Sequence, residues 1–136
     1  MTRLLLAAAL LSSTPALAAP IDGVWTNPSQ SVTIRIGPCG ETRCGRVISA
    51  SARAREKAAE AGTPDLVGTE LMSGLEEVGP GDWRAEIFVP DKNIRAEGEL
   101  HLTGPRTLDV EGCAMGGLLC KTQTWTKVAG TARRKR

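Results

Sequence analysis

"SVTIRIGPCGETRCGRVIS", residues 31–49, contains two strands, the turn between them and a pair of cysteines. Val32, Ile34 and Ile36 alternate with Ser31, Thr33 and Arg35, and a period of two gives an extended chain one apolar face and one wet face. The run ends at Cys39, four residues turn the chain, and a second strand leaves from Cys44. Cys39 and Cys44 are therefore expected as opposite partners where a hairpin turns. Facing alpha carbons in antiparallel strands lie roughly 4.5–5.5 Å apart, a span that a disulfide bridges.

The same period recurs along the chain. Trp83, Ala85, Ile87 and Val89 alternate with polar residues, as do Ile94, Ala96, Leu100 and Leu102, and then Leu108 and Val110. Turn-forming stretches separate these runs: "TNPS" at 26–29, "GPGD" at 79–82, "PDKN" at 90–93 and "TGPR" at 103–106. Stretches around residues 23–26, 44–50, 66–73 and 120–128 complete eight strands in sequence. A meander of that length leaves two raw edges unless it closes, so the expected fold is all-β: a small eight-stranded up-and-down antiparallel barrel. "SARAREKAAEAGTP", residues 51–64, is rich in helix formers and ends in Gly62 and Pro64. It predicts one short helix across the barrel. The register puts Ile34, Ile87 and Leu100 inside and Arg35, Glu86 and Glu99 outside.

The first eighteen residues have Arg3, an apolar run from Leu4 to Leu11 and small Ala16 and Ala18 around Leu17, the pattern of a secretory signal peptide cut after Ala18. That apolar run is shorter than the roughly 20 residues of a membrane-spanning helix, and no later segment comes closer, so no transmembrane segment is expected. Removing 18 of 136 residues leaves about 118, one domain by length, expected over 19–130 and followed by a basic, disordered tail at 131–136. Loss of Arg3 lowers the formal net charge from +2 to about +1. The expected compartment is the periplasm or the exterior of a bacterium.

An even count of four cysteines in an oxidising compartment favours disulfides, and they fall as two close pairs, Cys39 with Cys44 and Cys113 with Cys120. A thioredoxin-type redox site wants two residues between its cysteines at a helix start, and structural zinc knuckles use spacings of two to four. Four and six residues intervene here. Both pairs read as staples.

No sequence feature points to catalysis, a metal or a cofactor. The single histidine, His101, lies in the wet register of a strand, and Glu97 and Glu99 share a face with Arg95, Arg84 and Glu86, an arrangement suited to cross-strand ion pairs. There is no phosphate-cradling glycine loop, no elbow serine and no histidine–glutamate metal motif. Nucleic acid is not expected as a partner, because three Trp, one Phe and no Tyr leave few platforms for bases, and the basic residues alternate with acids. The chain is expected to be a monomer and not an enzyme.

"DGVWT", "CGETRCGRV", "LVGTEL", "FVPDKN", "GCAMGGLLC" and "KTQTWTKV" occur in this order over nearly the whole mature chain and together resemble the exported bacterial family DUF2147. The resemblance implies a small lipocalin-like barrel and supplies no activity. Many relatives have arginine at the position of Lys127 and glycine at that of Glu86. Gly23 and Trp25 are similar to the glycine-x-tryptophan first strand of lipocalins, and that likeness implies barrel closure with Trp25 under the Lys127 side chain.

Two function classes follow. A barrel of this size can enclose one small apolar ligand or lipid, with Ile34, Leu71, Ile87, Leu100 and Val110 as aliphatic walls. The alternative is a packed structural or interaction protein of the envelope that holds no ligand. Interior volume separates the two.

Overall fold

The computed structural model describes residues 19–129. The expected signal peptide and the basic tail lie outside the described residues. Eight strands follow one another: β1 (Gly23–Thr26), β2 (Val32–Cys39), β3 (Thr42–Ala50), β4 (Glu70–Gly79), β5 (Asp82–Val89), β6 (Ile94–Gly104), β7 (Thr107–Ala114) and β8 (Leu119–Lys127). Each pairs antiparallel with the next, and β1 pairs with β8 to close the barrel. The closing seam is short, with only Trp25↔Lys127 and Thr26↔Thr126 in register. One helix, α1 (Ala52–Ala61), interrupts the meander between β3 and β4.

α1 forms where its caps allow. The Ser51 side chain accepts a hydrogen bond from the Ala54 N–H, and Gly62 ends the helix at φ +118°, a conformation costly for residues with a Cβ. Only Ala58 of the helix is buried. Ala54 and Ala61 are half-buried, Ala54 against the core, and the other residues of α1 are exposed across one end of the barrel. Among the described residues, no helix is long and apolar enough to cross a membrane.

The inward register follows the sequence. Trp25, Ile34, Leu100 and Leu108 are fully buried, while Arg35, Glu86 and Glu99 are exposed. Up-and-down connectivity then sorts the loops to two ends. The β1–β2 loop, α1, the β5–β6 turn and the β7–β8 turn share one end, here called the mouth. The β2–β3, β4–β5 and β6–β7 turns and the chain entry to β1 share the other, closed end.

Three details differ from the sequence reading. β4 begins at Glu70 and runs to Gly79, instead of occupying 66–73. Val67 and Gly68 form a turn, with Gly68 at φ +98°, and buried Leu66 packs from the loop before it. Gly74 at φ +61° and register shifts against both neighbours change the phase of β4, so that adjacent Leu71 and Met72 are both buried, followed by Leu75. The β2–β3 hairpin is also tighter than expected: Cys39 pairs with Thr42 and Cys44 with Gly37, so the two cysteines are diagonal neighbours. Gly40 at φ +73° permits this two-residue turn. Finally, Ile94 is 41% exposed because β6 starts at the open mouth, where the inward register has no core to meet.

Candidate functional site

The barrel is filled at one end only. Toward the closed end, Ile34, Ile36, Leu75, Trp83, Leu100 and Leu108 make a packed core, with Trp25 among them. Toward the mouth, the inward positions of β6 and β7 are occupied by Ala96, Gly112 and Ala114. Small side chains there leave a cavity of about 840 Å³, within the range of small-molecule sites. Its floor and walls include Leu66, Leu71, Met72, Ile87, Val110 and Trp125.

Of the five residues expected as ligand walls, Leu71, Ile87 and Val110 line this cavity. Ile34 and Leu100 do not: both are fully buried in the packed half and cannot touch a ligand at the mouth. The register alone could not separate them, since it gives the face of a strand and not the depth along the barrel. The alternation of large and small inward residues carried that signal, Leu100 and Leu108 on one side of the boundary, Ala96 and Gly112 on the other.

The sequence reading also missed the polar lining. β8 points Lys121 and Gln123 inward at the mouth, in the same register as Trp125. Arg53 and Lys57 from α1 and Lys92 from the β5–β6 turn join Lys121 around the opening, with Asp91 among them and Glu60 beside Lys57 and Lys92. None of these four cations takes part in the ion pairs found among the described residues. The resulting cup is apolar below and cationic above.

The two disulfides stand at opposite ends. Cys39–Cys44, with alpha carbons 5.6 Å apart, staples the β2–β3 hairpin at the closed end. Cys113 and Cys120 face each other directly across β7 and β8, 4.1 Å apart, and staple the hairpin at the mouth. Both groups of side chains able to hold a metal, Cys39, Cys44 and Glu70, and Glu111, Cys113 and Cys120, depend on these bonded cysteines. Their thiolates are not free to act as ligands.

The closed end is built around Trp25. Its indole N–H donates to the Ile21 carbonyl at 2.9 Å, Lys127 Nζ lies 5.5 Å from the ring centre, and the same ammonium donates to the Pro20 carbonyl at 3.3 Å. Gly23 makes room for this contact: a Cβ there would lie 2.6 Å from Lys127 Cε. Arg43 pairs with Asp22 at 2.7 Å on the same face, its guanidinium 5.8 Å from the Trp83 ring centre. These contacts gather side chains over the closed end, around the buried Trp25.

On the outer wall, His101 is exposed and bonds its register partner Asp82, which raises its pKa above the ordinary value, with Glu99 and Asp109 adding to the effect. Of the expected cross-strand ion pairs, Arg95–Glu86 forms at 3.2 Å, between side chains both more than half exposed. The histidine stands outside the barrel wall and contributes no group to the cavity.

No curated protein matches the sequence. Among solved structures, protein HP1028 of Helicobacter pylori, described as belonging to the lipocalin family, is similar with a TM-score of 0.62 and 13% identity, over 80% of this chain and 83% of that one. At that identity the likeness is one of fold. The family model described as an uncharacterized protein conserved in bacteria, DUF2147, matches residues 23–127, from the first residue of β1 to the last of β8, and the chain belongs to this family.

Proposed function

We propose that the protein is an exported, periplasmic binding barrel that takes a small apolar ligand or lipid into the cavity at its mouth and performs no catalysis. The cavity carries this reading: about 840 Å³ of space above a packed half-core, its apolar lining including Leu66, Leu71, Met72, Ile87, Val110 and the Trp125 indole. A barrel with a purely structural role gains stability by filling such a space, because each missing methylene forfeits about 0.8 kcal/mol of burial. The fold likeness to a lipocalin-family protein supports the same reading. Two disulfides and the leader-like first eighteen residues support export.

The test uses N-phenyl-1-naphthylamine, an uncharged naphthyl dye, with energy transfer from the three tryptophans as the reading. Saturable binding is expected, and Ala96→Phe or Val110→Phe, each placing a ring inside the cavity, should weaken it by about tenfold or more. Absence of saturable binding to the unaltered protein overturns the proposal in favour of the ligand-free structural protein.

A further inference from the structure

The mouth carries a feature that ligand binding does not require. The β7–β8 turn exposes Met115, Leu118 and Leu119 at 70, 83 and 60% of their surfaces. They are the three most exposed large apolar side chains among the described residues. Ile94, 41% exposed, begins β6 alongside this hairpin. Cys113–Cys120 closes the base of the tip, and Met115, Gly116 and Gly117 all take positive φ.

The surroundings of the tip are cationic. Leu119 and Lys121 both line the opening, with Lys92, Lys57 and Arg53 on the elements beside and across it. Exposed apolar side chains beside four cations and two carboxylates, the cations in none of the ion pairs among the described residues, match an anionic lipid surface, whose headgroups hold the cations while the apolar tip enters the acyl boundary.

We infer that the mouth docks onto an anionic bilayer, with Met115, Leu118 and Leu119 inserted and Arg53, Lys57, Lys92 and Lys121 on the headgroups. The orientation places the cavity opening against the membrane, so a lipid could enter without crossing water. The docking itself does not depend on the cavity being filled.

Co-sedimentation of the purified protein with vesicles of phosphatidylcholine alone, or of phosphatidylcholine mixed with phosphatidylglycerol, tests the inference. Binding should favour the anionic vesicles and weaken as salt rises. Leu118→Asp should reduce it by about tenfold or more, and the Lys92→Gln/Lys121→Gln pair by about fivefold per charge removed. All these side chains are exposed, so circular dichroism should be unchanged. The basic tail, which also attracts anionic lipid, is present in every protein compared, so only the mouth differs. Equal binding of the Leu118→Asp protein, or of the lysine-substituted protein, overturns the inference. Binding to neither vesicle also overturns it, leaving a protein or a second copy as the occupant of the tip. Dye binding by the Leu118→Asp protein reads the cavity separately, so docking and ligand binding can fail independently.

Discussion

Lys127 Nζ stands 5.5 Å from the centre of the Trp25 ring, and the same two residues face each other in register across the β1–β8 seam. A side-chain contact and one of the seam's two register pairs thus coincide at the same point. The two do not contribute equally. Trp25 is fully buried, and truncating such a side chain to alanine costs about 3–5 kcal/mol, while a partly exposed cation–π contact is worth about 0.5–1 kcal/mol. Trp25→Ala should therefore lower the urea midpoint several times more than Lys127→Ala. Equal losses would mean that the ammonium, and not the buried indole, holds the seam.

Gly23 is expected to tolerate no side chain. Its φ is +139°, and an added Cβ would lie 2.6 Å from Lys127 Cε. Gly23→Ala should cost about 1–3 kcal/mol through backbone strain and displacement of the lysine. In the double variant with Lys127→Ala, the clash is removed and the strain remains, so the combined loss should be smaller than the sum. Additive losses in denaturation experiments would show that the lysine simply moves aside.

Removing either disulfide should cost about 2 kcal/mol by the chain-entropy account, since the bridges join residues only five and seven apart. Cys39→Ser/Cys44→Ser and Cys113→Ser/Cys120→Ser should behave alike in thermal melts. Peptide mapping without reductant should recover only these two linkages, and any cross-linked peptide between the pairs would contradict the fold.

The His101–Asp82 contact predicts a small pH dependence. Bonding to Asp82 raises the histidine's pKa above its ordinary 6.5. A raised folded-state value means that the contribution is fully present below about 6.5, the unfolded value, and fades as pH rises through the higher folded value. The unaltered protein should lose slightly more stability between about pH 6 and pH 8 than His101→Gln does. Identical pH profiles in chemical denaturation would show that this exposed pair contributes nothing.

Much of the barrel was legible because its wall has one wet face. In β2, β5, β6 and β7 the alternation is unbroken, and the inward faces could be assigned residue by residue. β4 was not legible, because Gly74 and its bulge shift the phase between Met72 and Leu75 and destroy the local period. The cavity was half legible: Ile87 and Val110 follow from the register, while Leu71 stands in β4 where the period breaks, and the separation of these three from Ile34 and Leu100 depends on the stagger of one strand against the next. The cationic opening was not legible at all, since Arg53, Lys57, Lys92 and Lys121 come from three separate elements that meet only when the barrel closes.

The two-pair seam has a kinetic consequence. Lys127 reaches Pro20 across 107 residues of chain, and closing a loop of that length costs about 4 kcal/mol in chain entropy, against about 1 kcal/mol for a hairpin turn. The consecutive hairpins can each form locally, so the sheet curls before its edges meet, and the seam latches last. Run backwards, the seam is expected to be the first part of the wall to part company. While it is open, β1 and β8 present unpaired edges, and there a neighbouring molecule could exchange its own first strand for this one.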